Sequence, residues 1–363
     1  MTRAQQDRPL IVVAGPTASG KSGLALSIAE AFGGTVINAD SMQVYRELAV
    51  LTARPGPEAA ARAAHRLYGV LSGDEVCSAG RWREMALAEI ARAWEMGGIP
   101  VVAGGTGLYL RALERGLSPI PEVPQAIRAA ARARHAKMGG AAFHAALAAR
   151  DPEAAARLHP GDSQRLIRAW EVLEATGRPL ADWHRASAGD GLACRRLRLV
   201  LAPPRAALYA ACDRRFLDMM AAGALDEVRR LLTLGLDPSL PVMKALGVAP
   251  LADHLAGKIS LDEAVAAAQQ ATRRYAKRQL TWLRTQMLGG APGGDLQAVR
   301  KAGGRRRGEV TPALPDHVDK RQELQAVMQI FGTQNRLIYE QYSERLEPEI
   351  FKIVREFLLT TPP

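Results

Sequence analysis

The segment that organises this sequence is Gly15-Pro16-Thr17-Ala18-Ser19-Gly20-Lys21-Ser22. It follows a short apolar run, Leu10 to Ala14, and it opens a stretch with helical apolar spacing, Ser22 to Phe32. A strand, a glycine loop and a helix in this order are the context in which the spacing GxxxxGK, followed by Ser or Thr, binds phosphate. Glycines let backbone N–H groups surround phosphate oxygens, and the helix N-terminus favours an anion. All eight residues are therefore candidates for binding a pyrophosphate group or a nucleotide such as ATP.

Two side chains of this loop have chemistry of their own. Lys21 supplies a positive charge to phosphate oxygens, and the hydroxyl of Ser22 suits a magnesium ion. The sequence therefore predicts Mg²⁺ as a cofactor, with Ser22 as its protein ligand.

Strand-like and helix-like segments alternate on both sides of the loop. Short apolar runs rich in β-branched residues predict buried strands at 35–39, 99–103 and 196–202. Apolar residues at helical spacing predict helices at 83–96, 209–234 and 260–286. This alternation predicts an α/β fold, a doubly wound parallel sheet with helices on its faces.

Changes in composition divide the chain into four parts. Residues 8–116 and 196–288 carry the alternating pattern and form a discontinuous α/β core. Residues 117–195 are rich in Ala and Arg without a strand-like run, which predicts a helical insertion. Residues 289–314 are rich in Gly and Arg, as linkers are. Residues 315–363 have apolar positions at helical spacing and predict a helical tail, a small appendage.

Composition narrows the class of protein. The chain has 363 residues and a formal net charge of +11. This excess favours an anionic partner, most commonly nucleic acid, although an Arg-rich genome explains it equally well. Three cysteines without a CxxC pair argue against a disulfide framework or a zinc site. Without a signal-peptide pattern or a run of about 20 apolar residues, the expected location is the cytoplasm rather than a membrane.

Asp40 is the acidic residue that the strand pattern singles out. Nucleotide hydrolases commonly hold magnesium with an Asp at the end of a buried strand, but the strand at 99–103 ends in Gly104-Gly105-Thr106. Asp40 follows the strand at 35–39, and such a position lies beside the phosphate loop in this architecture. It can bind metal or act as a base. The alternative is that Asp40 only caps the segment that follows it.

Further motifs occur in order between about residues 10 and 285. They are Asp40-Ser41-Met42-Gln43-Val44-Tyr45, His65-Arg66-Leu67, Gly104-Gly105-Thr106-Gly107-Leu108-Tyr109, Asp162-Ser163-Gln164-Arg165-Leu166-Ile167-Arg168-Ala169, Arg214-Arg215-Phe216 and Lys277-Arg278-Gln279-Leu280-Thr281-Trp282. Together with the phosphate loop, these motifs resemble the tRNA dimethylallyltransferases of the IPP transferase family. These enzymes modify adenosine 37, next to the anticodon.

The resemblance implies a reaction and a catalytic set. The loop would hold the pyrophosphate of dimethylallyl pyrophosphate rather than ATP. The dimethylallyl group would pass to N6 of adenosine 37 in tRNAs that read codons beginning with U. Asp40 matches the residue that accepts the N6 proton. Thr106 and Arg215 match residues that stabilise the leaving pyrophosphate.

The resemblance also implies a surface for the tRNA anticodon stem-loop, with adenosine 37 flipped out of its stack. The insertion would grip the tRNA, and the expected oligomeric state is a monomer. On the helix at 260–286, pairs of basic residues four apart predict a cationic ridge, although such a row is also typical of a solvated helix face. The implied contacts are Asp40, Ser41, Met42, Gln43, Arg128, Gln164, Arg165, Leu166, Ile167, Arg168, Arg273, Arg274, Lys277 and Arg278.

Some positions depart from the family pattern, and three other functions stay open. Ala211 stands where some members carry Arg, and Val248-Ala249-Pro250 stands where others carry an aromatic-basic pair. The main alternative is a phosphate-loop kinase of a small metabolite or nucleotide. A second is an isopentenyltransferase acting on free AMP or ADP, which has little need for the insertion. A third, an RNA-binding module without activity, leaves the phosphate loop, Asp40 and Arg215 unexplained.

Overall fold

The computed structural model describes residues 7–186, 191–288, 335–338 and 347–359. Within these residues, one sheet is formed by β1 (Pro9–Ala14), β2 (Gly34–Asn38), β3 (Ala64–Arg66), β4 (Ile99–Gly104), β5 (Arg195–Leu201) and β6 (Asn335–Ile338). The strand order is β3-β2-β4-β1-β5-β6, and every pair is parallel. The predicted α/β class with a parallel sheet is confirmed.

Helices connect these strands. Those around the sheet are α1 (Lys21–Phe32), α2 (Pro57–Arg62), α3 (Ala79–Glu95) and α4 (Gly107–Arg115). The helices that follow are α5 (Gln125–Ala148), α6 (Pro152–Arg157), α7 (Ser163–Thr176) and α8 (Leu180–Ala186). The chain then forms α9 (Arg205–Ala221), α10 (Ala224–Thr233), α11 (Val248–Leu255), α12 (Leu261–Leu283) and α13 (Glu347–Leu359).

The chain divides into two compact units. The first combines Met1–Arg111 with Ala193–Pro363 and contains the sheet. The second is Ala112–Leu192, whose described residues form helices and no strand. The predicted insertion, 117–195, overlaps this second unit. Its own core gathers around Phe143 and Trp170, whose ring centroids lie 5.2 Å apart.

The end of the chain contributes to the main core. Ile350, Ile353, Val354 and Phe357 lie on one face of α13 and are buried with residues of β1, β4, β5 and α1. Their spacing of three, four and seven is that of an amphipathic helix. Helix α13 is therefore part of the main hydrophobic core, a tighter association than the predicted appendage.

Two local predictions need correction. Residues 335–338, predicted within a helical tail, form β6 because the free edge of β5 offers backbone hydrogen bonds to a parallel partner. The single helix predicted at 209–234 is two helices, α9 and α10. Gly223 separates them at φ 94°, a left-handed conformation that ends a helix and suits glycine. The predicted linker, 289–314, lies outside the described residues.

The register of the sheet places three loops together. Val101 of β4 lies opposite both Ile11 of β1 and Val36 of β2, so the carboxyl ends of these strands share one edge. At this edge the chain runs so close that a Cβ on Gly104 would overlap the backbone of Ala39. The phosphate loop, the segment after β2 and the segment after β4 therefore meet at one point.

The packing of α13 gives a test of its place in the core. We expect Ile350→Ala to lower the free energy of unfolding by about 2–5 kcal/mol, because the substitution leaves a cavity in a buried site. Lys352→Ala, on the exposed face of the same helix, should change it by less than about 0.5 kcal/mol. Urea unfolding measures both. Equal effects of the two substitutions would contradict the packing.

Candidate active site

The phosphate loop forms one wall of a cavity of about 420 Å³, named here the loop cavity. The loop follows β1 directly and opens α1, as the sequence predicted. Ala18 adopts a left-handed φ of 62°, and the N–H of Ser19 donates to the carbonyl of Pro16 at 3.3 Å. The lining residues are Thr17, Ala18, Gly20, Lys21, Ser22, Gly23, Asp40, Gln43, Thr52, Ala53, Ala211, Arg214, Arg215 and Asp218.

Lys21 provides a buried positive charge in this cavity. Its ammonium donates to the carbonyl of Pro16 at 3.4 Å. Burial is the main cause that lowers the pKa of Lys21 to about 8; the charge of Arg215 acts in the same direction, whereas Asp40 and Cys212 oppose the shift. Lys21 is therefore mainly a cation at neutral pH and loses its charge in mildly alkaline solution.

Arg215 adds a second, partly buried cation from α9. Its guanidinium donates to the hydroxyl of Thr17, which holds it against the phosphate loop. Burial lowers the pKa of Arg215, and Cys212 and Asp40 oppose that shift. One buried and one partly buried cation thus face one cavity, an arrangement that favours a multiply charged anion.

Gln279 of α12 joins the phosphate loop to the end of β4. Its side-chain oxygen accepts the N–H of Thr17 at 2.8 Å, and its side-chain nitrogen donates to the carbonyl of Gly105 at 2.9 Å. Gln279 is buried, so both backbone groups have a partner where water is excluded. The amide of Gln279 therefore fixes the phosphate loop against the end of β4.

Asp40 occupies the bend after β2. Asn38 holds this bend by accepting the N–H of Asp40 at 2.8 Å and donating to its carbonyl at 3.0 Å. The Asp40 carboxylate accepts the N–H of Met42 at 3.0 Å, so it does cap the next turn, as the alternative interpretation held. It also lines the loop cavity and a neighbouring cavity, and of the described acidic residues it alone lines both.

The neighbouring cavity has a volume of about 230 Å³ and is named here the apolar cavity. Thr17, Asp40, Thr52 and Arg215 line it as well as the loop cavity. Burial raises the pKa of Tyr275, so its phenol stays neutral. The full lining is Thr17, Asp40, Ser41, Met42, Leu51, Thr52, Cys212, Arg215, Phe216, Met219, Lys244, Ala245, Leu246, Thr272, Tyr275 and Arg278.

The predicted residues around Asp40 have distinct positions. Ser41 and Met42 line the apolar cavity. Thr106 accepts the N–H of Ser41 through its hydroxyl oxygen at 3.0 Å, so it supports the Asp40 segment. Gln43 is buried and donates to the carbonyls of Thr52 and Ala53 at 2.8 and 3.1 Å. Its side chain holds a neighbouring loop, a role that the resemblance did not imply.

The basic residues of the ridge predicted on α12 have different surroundings. Arg273 pairs with Asp213 at 2.5 Å, which offsets its charge. Arg278 lies at the apolar cavity with its guanidinium 5.6 Å from the Tyr275 ring centroid. Arg274 and Lys277 are exposed.

The predicted contacts in the second unit also differ in exposure. Gln164 and Arg165 are exposed at the start of α7, whereas Leu166 is wholly buried in the core of this unit with Ile167 packed against that core. The side chain of Leu166 is therefore withdrawn from the surface. Two predicted arginines have acidic neighbours: Arg168 lies 3.5 Å from Glu171, and Arg128 lies 3.9 Å from Glu122.

The oxygen groups of the loop cavity suit a magnesium ion. Ser22, Asp40 and Asp218 supply hydroxyl and carboxylate oxygens, the ligands that Mg²⁺ prefers beside substrate phosphates. Among the described residues, no group of three or more His, Cys, Asp or Glu side chains forms a metal site by itself. A magnesium ion here would depend on substrate oxygens for much of its coordination.

Known proteins are similar to this chain over most of its length. A family model described as IPP transferase matches residues 43–286. This chain belongs to the IPP transferase family. A tRNA dimethylallyltransferase of Rhodospirillum centenum is 61% identical over 283 residues, which cover 77% of this chain and 90% of that protein. The resemblance carried by the motifs is confirmed, and a phosphate-loop kinase is not supported.

Solved structures agree with this assignment. A full-length tRNA isopentenylpyrophosphate transferase from Bacillus halodurans matches with a TM-score of 0.60 and 26% identity over 97% of both chains. A eukaryotic dimethylallyltransferase acting on tRNA matches with a TM-score of 0.68 over 95% of this chain and 85% of that one. At 23% identity, this second likeness shows the shared fold.

The pKa of Lys21 predicts how anion binding depends on pH. The free protein loses the charge of Lys21 above pH 8, so the affinity for inorganic pyrophosphate should fall by up to about tenfold per pH unit there. Titration calorimetry between pH 7 and 10 without divalent metal measures this slope. Lys21→Met should bind more weakly and lack this component, while the ionisation of pyrophosphate itself is common to both. Parallel profiles for the two proteins would contradict the role of Lys21.

Proposed function

We propose that this protein transfers the dimethylallyl group of dimethylallyl pyrophosphate to N6 of adenosine 37 in tRNAs that read codons beginning with U. Membership of the IPP transferase family supports the reaction type. The observation that carries the assignment of roles is the position of Asp40, which lines both the loop cavity and the apolar cavity. A carboxylate at this junction can contact the acceptor nitrogen on one side and lie beside the anionic leaving group on the other.

The loop cavity is the proposed site of the pyrophosphate. The loop N–H groups, Lys21 and Arg215 surround a charge that grows as the allylic C–O bond breaks and its electron pair leaves with pyrophosphate. Ser22 would hold a magnesium ion, which supplies further positive charge to the leaving group. Because no phosphoryl group is transferred, the absence of an acidic residue directly after β4 is consistent with this chemistry.

The apolar cavity is the proposed site of the adenine, flipped out of the anticodon loop. Phe216, Met219 and Tyr275 offer apolar and aromatic surface suited to a base. N6 would form a bond to the allylic carbon and pass its proton to Asp40. This general-base step compensates for the poor nucleophilicity of N6, an exocyclic amine whose lone pair is delocalised into the ring.

A single chain is sufficient for this reaction, because residues of one chain line both cavities. We therefore propose a monomer. We also propose that it works in the cytoplasm, where tRNA is available. Among the described residues, no helix combines the length and apolar character needed to cross a membrane.

The direct test is release of pyrophosphate. Purified protein should release pyrophosphate from dimethylallyl pyrophosphate when given magnesium and an anticodon stem-loop with adenosine 37 between two adenosines. A stem-loop with guanosine at position 37 and free AMP serve as controls. Transfer to AMP alone would favour the enzyme of free nucleotides, and ATP turnover without prenyl transfer would favour the kinase.

Substitution of Asp40 tests the base. Asp40→Asn should lower kcat by about 10²–10⁴-fold, because an amide cannot accept the N6 proton, while the affinity for the stem-loop changes little. Asp253→Asn is the control, since the Asp253 side chain is half-exposed, pairs with the nearby Lys258 and lines neither cavity. Single-turnover kinetics and a filter-binding assay give the two quantities. A kcat within threefold of the parent protein would rule out the base.

A further inference from the structure

Glu227 is a buried carboxylate outside both cavities. It lies in the first turn of α10 with 4% of its surface exposed. One oxygen accepts the N–H groups of Ala49 and Val50 at 2.7 and 2.9 Å, and the other accepts the N–H of Leu51 at 2.9 Å. Three charge-assisted hydrogen bonds thus join one carboxylate to three consecutive backbone groups some 177 residues away along the chain.

The loop held in this way forms part of the wall of both cavities. Leu51 lines the apolar cavity, Ala53 lines the loop cavity, and Thr52 lines both. On its other side, Gln43 donates to the carbonyls of Thr52 and Ala53. Glu227 therefore binds the N–H groups of a loop whose carbonyl groups are bound by Gln43, and the name "wall loop" is used here for residues 49–53.

Glu227 lines neither cavity, and its hydrogen bonds to the wall loop connect it to both. We propose that Glu227 is a positioning residue for the reaction: it keeps the wall loop ordered before substrate binds, which sets the tightness of the dimethylallyl pyrophosphate site. This inference rests on the proposed function for its kinetic part, but not for its effect on the wall loop.

An isosteric change separates this role from simple packing. In Glu227→Gln, one oxygen becomes an NH₂ group that cannot accept an N–H. The orientation that keeps two of the three hydrogen bonds places this group against the N–H of Leu51, donor against donor. Volume and shape are conserved, so the variant should fold and lose mainly the order of the wall loop at Leu51.

The neighbouring acid offers a matched control. Asp226 is on the same helical turn, exposed and paired with Arg229. With dimethylallyl pyrophosphate as the varied substrate, Glu227→Gln should raise KM about tenfold and leave kcat within about threefold, because bound substrate reorders the loop. Asp226→Asn should match the parent protein. A general loss of folded protein would instead lower the apparent kcat and leave KM unchanged.

Hydrogen exchange tests the loop without using activity. In Glu227→Gln, the amide of Leu51 should exchange at least tenfold faster than in the parent protein, with a smaller change at Ala49 and Val50, and inorganic pyrophosphate should restore part of the protection at Leu51. Unchanged exchange at Leu51, or a released Leu51 amide with an unchanged KM, would overturn the proposal. If the parent protein and Asp226→Asn both fail to transfer the prenyl group, the proposed function fails, and the exchange result still decides the role of Glu227 in the loop.

Discussion

The side-chain amide of Gln279 joins parts of the chain that the sequence keeps far apart. It accepts the N–H of Thr17 and donates to the carbonyl of Gly105, which are 262 and 174 residues away. Because both groups are buried, leaving either without a partner costs more than the net value of an ordinary hydrogen bond. The shape of the phosphate loop, the end of β4 and the placement of α12 are therefore linked, and Arg215 and Tyr275 take their positions around this link.

The rest of the site depends on a balance between two positive charges and one negative charge. Lys21 is buried and Arg215 is partly buried, and this burial lowers the pKa of each, while the carboxylate of Asp40 opposes both shifts. Removing Asp40 would therefore take away the proposed proton acceptor and also a partner of the two cations. The side-chain oxygen of Asn can still accept the N–H of Met42. Asp40→Asn therefore tests the charge of Asp40 more specifically than substitution by a smaller residue does.

Local sequence patterns were sufficient to predict part of the fold and part of the site. The phosphate loop is contiguous, and Asp40 directly follows a strand, so both could be predicted from short segments together with the parallel-sheet rule. Gln279 stood in a recognised motif, but nothing in that motif indicates Thr17 as its partner. Nothing in the sequence singled out Glu227, because an acidic residue in the first turn of a helix is common. Strand β6 and the break at Gly223 depend on tertiary pairing and on one glycine conformation, which apolar spacing does not report.

The energetic state of the free site favours its proposed substrate. A buried lysine whose pKa is about 8 holds its proton weakly, since water no longer stabilises the charge. A pyrophosphate in the loop cavity would stabilise the charged form and raise this pKa, so substrate binding and protonation of Lys21 support each other. Gln279 fixes the loop and Arg215 is held by Thr17, so little further ordering is needed on that side. The wall loop has its N–H groups at residues 49–51 bound by Glu227 and its carbonyl groups at residues 52 and 53 bound by Gln43, so the proposed adjustable side of the site is the one at Glu227.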